Sequence, residues 1–199
     1  NYKISIKNAI NNEISPNRIS INVNNKQPKV LIAGCGTGKQ ILQALKYQNS
    51  LITAIDLSLS SLAYAKRKLD ELGINNVELI QMDILEIGLL GKSFDIIECG
   101  GVLHHMDNPS RGLELLLGVL KKNGFLKLGL YSELARKEIV TARNYIREMK
   151  LKPTESNIRF FREKVFSGEI NNLNNLKISE DFFSLSQCRD LCFHAKEHR

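Results

Sequence analysis

The sequence VLIAGCGTGKQ, residues 30–40, runs from four apolar residues through three alternating glycines into residues that favour a helix. A short apolar run of this kind is typical of a buried strand in a parallel sheet. Gly34, Gly36 and Gly38 permit backbone angles that other residues resist, and they let a ligand lie against the main chain. The stretch predicts a strand, a tight turn and a helix whose start attracts a negative group. Tight strand-to-helix turns also use glycine for steric reasons alone.

The same alternation of strand and helix patterns continues from Pro28 to about Ser132. Five apolar runs have the length of strands, namely KVLIAG, LITAID, VELIQMD, FDIIECG and GFLKLGLY. Helical patterns between them predict an α/β fold with a parallel sheet covered on both faces. We expect residues 1–27 to be a lead-in with a short helix, 28–132 to be the core, and 133–199 to be a helical C-terminal extension or lid. The sheet either stops at five strands or is completed by residues outside this chain.

Two helices of the core have recognisable ends. We expect the first to be capped by Ser60 or Ser61 and stopped by Gly73. Its residues at helical spacing, which we expect to be buried, are Leu62, Ala65, Leu69 and Leu72. We expect the second helix to begin at Ser110 and to end at Gly124. Its apolar stripe would be Leu113, Leu116, Leu117 and Leu120.

Composition limits the class of protein. With 199 residues, 43% hydrophobic and 25% charged, the chain has the balance of one soluble globular domain. It has no apolar run long enough to cross a membrane and no pattern of a signal peptide, so we expect no membrane partner and a cytoplasmic location. The four cysteines are too few for a disulfide framework and are expected to be reduced. The net charge of +7 is spread along the chain, which does not favour a nucleic-acid partner.

Acidic residues follow the second and third predicted strands. Asp56 lies 22 residues after Gly34, the distance at which an acid at the tip of the neighbouring strand can accept hydrogen bonds from both ribose hydroxyls of a nucleoside. The alternative is that Asp56 only caps the next helix. Asp83 can accept a hydrogen bond from the exocyclic amine of an adenine, with Met82 and Ile84 as walls of the ring site. Its alternative role is that of a turn aspartate.

Together, the segments VLIAGCGTG, AID, QMDI and FDIIECGGVLHHMDNP, followed by LKKNGFLKLGLY, resemble the successive motifs of class I S-adenosylmethionine-dependent methyltransferases of the broad small-molecule type. The resemblance covers residues 28–132 and implies a Rossmann-like fold that binds S-adenosylmethionine over the strand ends and methylates a small-molecule acceptor. The cofactor contacts that it implies are Gly34, Cys35, Gly36, Gly38, Asp56, Leu57, Met82, Asp83, Ile84, Cys99 and Gly100.

One position departs from the family pattern. The family usually has an acid two positions before the first glycine, where this chain has Ile32. We expect carbonyl groups near Cys99 and Gly100 to take over its contacts. The G-x-G-x-G spacing disfavours a dinucleotide dehydrogenase, whose loop is G-x-G-x-x-G.

His104 and His105 follow the fourth strand and are the candidate catalytic residues. A histidine here can remove a proton from a hydroxyl or an acidic carbon of the acceptor. Two adjacent side chains cannot both point into one pocket, so we expect at most one histidine to act directly. The alternative is that both histidines are structural or only line the pocket. We expect Cys99 to be a wall of the cleft, because methyl transfer needs no covalent intermediate.

The tail carries two patterns that are typical of metal sites. HAKEH, residues 194–198, matches a zinc-site pattern, and Cys188 and Cys192 lie one helical turn apart. Because Cys192 and His194 point to different helix faces, we expect no metal site. The tail resembles segments that follow methyltransferase domains in bacterial proteins with upstream tetratricopeptide repeats, so the chain is expected to be part of a longer protein. Candidates to meet an anionic acceptor are Tyr131, Arg136, Arg159 and Arg162, although ordinary surface salt bridges are the favoured explanation of the arginines.

Two alternative functions stay open at this point. The chain can be a non-catalytic S-adenosylmethionine-binding module, which the missing acid at Ile32 favours. It can also be an RNA methyltransferase, which only its basic charge favours.

Overall fold

The computed structural model describes residues 3–14, 26–132 and 136–194, and the chain forms two compact units, Asn1–Leu130 and Tyr131–Arg199. The strands of the first unit are β1 (Lys29–Ala33), β2 (Leu51–Asp56), β3 (Val77–Gln81), β4 (Phe94–Gly100) and β5 (Leu120–Gly129). Its helices are α1 (Ile6–Ile14), α2 (Lys39–Ala44), α3 (Leu59–Glu71) and α4 (Pro109–Gly118), with 3₁₀-helices at Ile84–Leu90 and Leu103–His105.

The five strands form one sheet in the order β3-β2-β1-β4-β5, and all four pairings are parallel. The predicted α/β fold and its five strands are therefore confirmed. The chain winds in one direction from β1 to β3 and in the other from β4 onward. The loops that leave β1 and β4 therefore diverge, and a crevice opens at the carboxyl ends of these strands.

Both faces of the sheet are buried, which explains why residues 30–33 of β1 are all apolar. Val30 and Ile32 pack into a cluster with residues of α1, α2 and α3. Leu31 and Ala33 point to the opposite face and pack with the 3₁₀-helix Ile84–Leu90 and with α4. Alternating side chains of a strand point to opposite faces, so a strand covered on both faces is apolar at most positions.

The short helix expected in the lead-in is present as α1. Its buried residues Ile6, Ala9 and Ile10 pack against the same cluster as α2 and α3. Just before α1, Ile4 forms an isolated parallel bridge with Tyr47. The described part of the lead-in is thus a component of the core.

The start of α3 differs from the prediction. Ser58, rather than Ser60 or Ser61, is the cap, because its Oγ accepts a hydrogen bond from the Ser61 backbone N–H at 3.2 Å. Gly73 follows the helix in the left-handed conformation, as expected. Leu72 was predicted to be buried, which is wrong: it is 59% exposed because the helix ends at Glu71 and turns it outward.

The predicted end of α4 is also wrong. Asn108, not Ser110, caps the helix by accepting the Arg111 N–H at 3.0 Å. The helix stops at Gly118, and the residues expected to form its last turn begin β5, where Leu120 pairs with Phe94. Strand pairing across the sheet overrides the local helical pattern, and Leu117 is left 49% exposed.

The second unit is helical, which agrees with the predicted C-terminal segment. Its helices are α5 (Lys137–Glu148), α6 (Glu155–Ser167), α7 (Asn174–Ile178), α8 (Glu180–Phe183) and α9 (Leu185–Cys188), followed by a π-helical segment Arg189–His194. Its core is a separate apolar cluster. The Glu138 carboxylate accepts hydrogen bonds from Asn175 and from the Leu176 N–H, both at 2.8 Å, and so ties α5 to α7.

In the part of the chain that the structure describes, no helix is long and apolar enough to span a membrane.

A buried hydrogen bond links β4 to the turn after α2. The Tyr47 hydroxyl donates to the Glu98 carboxylate at 2.6 Å, and both residues are buried. Burial, together with the hydrogen bond to Glu98, raises the pKa of the Tyr47 hydroxyl, which therefore stays a donor. The Tyr47 hydroxyl thus supplies a hydrogen-bond donor to a carboxylate that is buried in the sheet.

We expect the Tyr47→Phe substitution to destabilise the protein by about 1–3 kcal/mol, because the Glu98 carboxylate loses a donor that water cannot replace. Urea unfolding followed by circular dichroism measures this free energy. Tyr64→Phe is the matched control: its ring is 45% exposed on α3, and its loss of a hydroxyl should stay within about 0.5 kcal/mol. Equal effects of the two substitutions would contradict the role of the Tyr47–Glu98 hydrogen bond.

Candidate functional site

The glycine loop leaves β1 as a tight turn with three left-handed glycines. Gly34, Gly36 and Gly38 have φ of +76°, +51° and +98°. Gly34 also has no room for a side chain, because a Cβ there would lie 2.3 Å from Cγ2 of Val102. The Gly34 and Cys35 N–H groups both donate to the Ile55 carbonyl, at 2.9 and 3.0 Å, which holds the loop against β2.

Asp56 joins the loop to the start of α3. Its Oδ2 accepts the Gly36 N–H at 2.7 Å, and its Oδ1 accepts the Ser58 N–H at 2.8 Å. The helix cap itself is Ser58, so Asp56 is more than the capping residue of the alternative interpretation. A carboxylate has about four acceptor sites, so both oxygens of Asp56 can accept further hydrogen bonds beyond these two.

A cavity of about 180 Å³ lies at the carboxyl ends of the strands. Its lining includes seven of the predicted site residues: Gly34, Asp56, Leu57, Met82, Asp83, Ile84 and His105. Three further lining residues, Gly101, Val102 and Met106, were missed by the sequence analysis, although they lie in the quoted stretch after the fourth strand. The structure therefore brings the carboxyl ends of four strands, β1 to β4, to one cavity.

Asp83 lines this cavity and also forms a hydrogen bond within the turn that follows β3. Its Oδ1 accepts the Leu85 N–H at 2.9 Å and caps the 3₁₀-helix that follows β3. The turn role and the lining role thus coexist in this residue. Leu57 is 65% exposed beside the cavity, and Met82 is half-buried in it. Apolar side chains flank the two acids, an arrangement that can hold a flat ring with polar edges.

The other predicted site residues are not among the residues that line the cavity. These are Cys35, Gly36, Gly38, Cys99, Gly100 and His104. Burial and the nearby Asp56 charge raise the pKa of the Cys35 thiol to about 12. Burial likewise raises the pKa of the Cys99 thiol to about 11. Both thiols stay protonated near neutral pH, which disfavours a role as a nucleophile.

The two histidines have different positions. His105 is exposed and lines the cavity, whereas His104 is only 2% exposed. Their Nε2 atoms are 3.1 Å apart, and the rings meet edge to face with centroids 4.2 Å apart. One ring therefore donates to the other. The buried Leu103 and the 3₁₀-helix that it begins hold this pair beside the cavity.

Gln40, in the first turn of α2, is a polar residue that the sequence analysis missed. Its Nε2 donates to the Gly100 carbonyl at 2.8 Å and joins the helix after the glycine loop to the end of β4. Its Oε1 is buried and has no hydrogen-bond partner among the described residues. The sequence signal that could have identified Gln40 is its position as a polar residue just after the glycine loop.

A larger hollow of about 410 Å³ lies at the other end of the sheet, where the strands begin, and its lining includes Lys29, Asn75 and Lys92. None of the residues that the sequence analysis selected lines it. Parallel sheets bind ligands at the carboxyl ends of their strands. We therefore assign the candidate site to the smaller cavity, despite its size.

The tail motifs contribute no metal centre in the described residues, where no group of three or more histidine, cysteine or acidic side chains is placed to hold a metal ion. Cys188 and Cys192 are buried within the second unit as free thiols. Most of the HAKEH motif, residues 195–198, lies outside the described residues. Arg159 pairs with Glu155, and Arg162 donates to the Phe183 carbonyl at 2.6 Å.

Comparison with known proteins gives one family and several relatives. A family model described as a methyltransferase domain matches residues 24–182. The chain is 37% identical over 115 residues to an uncharacterized protein of a Synechococcus species, an alignment that covers 57% of this chain and 28% of that protein. It is 27% identical over 143 residues to the ubiquinone biosynthesis O-methyltransferase of Histophilus somni, covering 68% and 59% of the two chains.

Among solved structures, PKMT2 from Rickettsia typhi matches with a TM-score of 0.64 at 26% identity, over 79% of this chain and 32% of that one. A second structure of that protein, in complex with AdoHcy, matches with a TM-score of 0.59 at 25% identity, over 81% and 31%. The chain thus spans less than two thirds of the length of each of these relatives.

We expect Gly34→Ala to destabilise the protein by about 2–5 kcal/mol, because it adds the cost of a left-handed alanine to a clash with Val102. Gly36→Ala is the matched control: no atom lies within 4 Å of its added Cβ, so only the conformational cost of about 1–2 kcal/mol applies. Urea unfolding of the single variants, and of Gly34→Ala combined with Val102→Ala, measures both terms. Simple additivity of the pair would show that no clash with Val102 exists.

Proposed function

The chain belongs to the methyltransferase domain family, and from this premise we propose that it binds S-adenosylmethionine at the glycine loop and transfers the methyl group to a small-molecule acceptor. The observation that carries the proposal is the Asp56 carboxylate, which holds the Gly36 N–H and also lines the cavity beside the loop. The complex of the Rickettsia typhi relative with AdoHcy supports the ligand. The name of the Histophilus somni relative supports the class of acceptor.

The residues present fit this cofactor. No atom lies within 4 Å of the place where a Cβ of Gly36 would stand, so a ligand can lie against the main chain there. Asp56 has acceptor sites for the two ribose hydroxyls, and Asp83 offers an acceptor near the apolar residues that would enclose the adenine.

The mechanism requires little covalent chemistry from the protein. S-adenosylmethionine supplies an electrophilic methyl group on a sulfonium, and its transfer to a nucleophile neutralises that cation. The chain's own residues align the reactants and exclude water with apolar lining such as Met82, Ile84 and Met106. His105 accepts the proton that an acceptor hydroxyl or acidic carbon loses. Its protonated ring can donate to Nε2 of His104, which stabilises the imidazolium that forms.

A cytoplasmic setting is part of the proposal. Its support is that Cys35, Cys99, Cys188 and Cys192 are all free and buried thiols, whereas stable disulfides are typical of oxidising compartments.

Membership in a longer protein with repeats stays a prediction. The small share of the Synechococcus protein that this chain spans is compatible with it.

We expect Asp56→Asn to weaken S-adenosylhomocysteine binding about 10- to 100-fold in calorimetry, because a carboxylate that accepts two hydroxyl donors is replaced by an amide with one acceptor. Asp70→Asn, which changes an exposed acid of α3, is the matched control and should bind as the wild type does. The 2′-deoxyribose analogue separates ribose recognition from damage to the loop: the wild type should discriminate against it and Asp56→Asn should not. Absence of any binding by the wild-type chain would contradict the proposal.

We expect His105→Asn to lower methyl transfer about 10²- to 10⁴-fold while S-adenosylhomocysteine binding stays unchanged, because only proton removal is lost. Labelled S-adenosylmethionine is incubated with small-molecule, RNA and protein fractions of a cell extract, and the initial rate of label transfer is measured. Label in the small-molecule fraction supports the proposal, and label in RNA supports RNA methylation. Cofactor binding without transfer to any fraction identifies a non-catalytic module. A wild-type rate in His105→Asn excludes His105 as the base.

A further inference from the structure

We propose that Cys188 and Cys192 form a redox modification site, at which a peroxide converts the two thiols into a reversible intrachain disulfide. Both are free thiols, 0% and 3% exposed in the apolar cluster of the second unit. The proposed methyl transfer uses neither of them. The inference therefore does not depend on the proposed function, and it is tested without the cofactor.

The two thiols lie next to each other where two helical segments meet. Cys188 is the last residue of α9, and Cys192 lies in the π-helical segment that follows. Residues four apart share one face of a helix, with Cβ atoms about 5–6 Å apart, and the Cys192 thiol donates a hydrogen bond to the Cys188 sulfur. Because a disulfide needs Cβ atoms about 3.5–4.5 Å apart, a backbone shift of about 1–2 Å closes the bridge.

The pair holds its protons unequally. The hydrogen bond from the Cys192 thiol lowers the pKa of Cys188 although burial opposes this, and the positive charge of Arg162 adds to the lowering. The hydrogen bond to Cys188, together with burial, raises the pKa of Cys192. Cys188 is thus activated as a thiolate while its neighbour keeps its proton, and this suits an attacking thiol beside a resolving thiol.

Arg162 gives a second reason for a negative charge at this place. Its Nη2 donates to the Phe183 carbonyl at 2.6 Å, but its Nε is buried and has no hydrogen-bond partner among the described residues. A buried donor without an acceptor costs free energy, and an anion beside it reduces that cost. The rings of Phe166 and Phe182 lie 5.8 and 5.9 Å from the guanidinium, so its charge acts in apolar surroundings, where it is less screened than in water.

The oxidation balances with one molecule of hydrogen peroxide. The Cys188 thiolate attacks one peroxide oxygen, the O–O bond breaks, and the leaving hydroxide takes up the proton that Cys188 had released. The Cys192 sulfur then attacks the sulfenic acid on Cys188: the S–O bond breaks, the S–S bond forms, and the leaving hydroxide takes the Cys192 proton. Two thiols are oxidised while one peroxide is reduced to two waters. A dithiol reductant reverses the step by thiol–disulfide exchange.

Access to the buried sulfurs comes from local opening of the helices around them. The helices α7, α8 and α9 have five, four and four residues. Helices this short have few internal hydrogen bonds, so they open at a lower cost in free energy than the whole unit does. A peroxide is small enough to reach the thiols through such an opening.

The test oxidises the full chain with hydrogen peroxide, blocks the remaining thiols with iodoacetamide in urea, and identifies the products by mass spectrometry after trypsin digestion. Trypsin cleaves after Arg189, between the two cysteines, so the bridge holds two peptides together. We expect this linked pair as the main product and its loss after dithiothreitol. Cys35 and Cys99, whose thiols are buried with raised pKa values, are the internal controls and should be recovered alkylated.

Two cysteine variants check which thiol attacks. Cys192→Ser keeps Cys188 and a hydroxyl that can donate to it, and peroxide should produce a sulfenic acid that dimedone traps. Cys188→Ser keeps only the thiol with the raised pKa and should react at least about tenfold more slowly. Equal rates in the two variants would overturn the assignment of Cys188 as the attacking thiol.

An arginine variant separates activation from a purely structural effect. Arg162→Gln removes the charge beside Cys188 and should slow bridge formation about 3- to 10-fold, whereas a substitution that only loosened the helices would speed it by exposing the thiols. Arg159→Gln, which changes an exposed arginine of the same helix paired with Glu155, is the matched control and should react as the wild type does. An unchanged or faster rate in Arg162→Gln overturns the role of its charge. Absence of the linked peptides from the wild type, or equal oxidation of Cys35 and Cys99, overturns the site itself.

Discussion

The hydrogen bond from the Gly36 N–H to the Asp56 carboxylate is the interaction on which the site depends. It connects the loop after β1 to the tip of β2, and the second oxygen of the same carboxylate holds the start of α3 through Ser58. A charged acceptor makes both hydrogen bonds stronger than neutral ones. The residue that we assign to the ribose therefore also shapes the loop, so ligand binding and loop geometry are coupled through one side chain.

The sheet explains why this coupling occurs where it does. Strand order reverses between β1 and β4, and the chain leaves their carboxyl ends in opposite directions. Close approach at this edge leaves no space for a side chain at Gly34, which faces Val102. Behind the cavity, His104 is buried against His105, so one imidazole faces the site and the other supports it.

Several elements were predictable from local sequence and several were not. The five strands follow from apolar runs of strand length between helical patterns, because a strand buried on both faces is apolar at most positions. Helix ends were less certain, since Ser58, Ser60 and Ser61 are all suitable caps and only the path of the chain after β2 selects Ser58. The last turn expected for α4 became β5, because pairing with β4 outweighs a local helical period.

The sequence by itself determined the strand pattern, the glycine loop and the acids at the strand tips, because these depend on periodicity, backbone freedom and spacing along a short stretch of chain. Only the tertiary structure decided which histidine lines the cavity and where the Gln40 amide lies. Gln40 and Gly100 are 60 residues apart and share one hydrogen bond. Contacts of this kind form only when distant segments are packed together, so no local pattern encodes them.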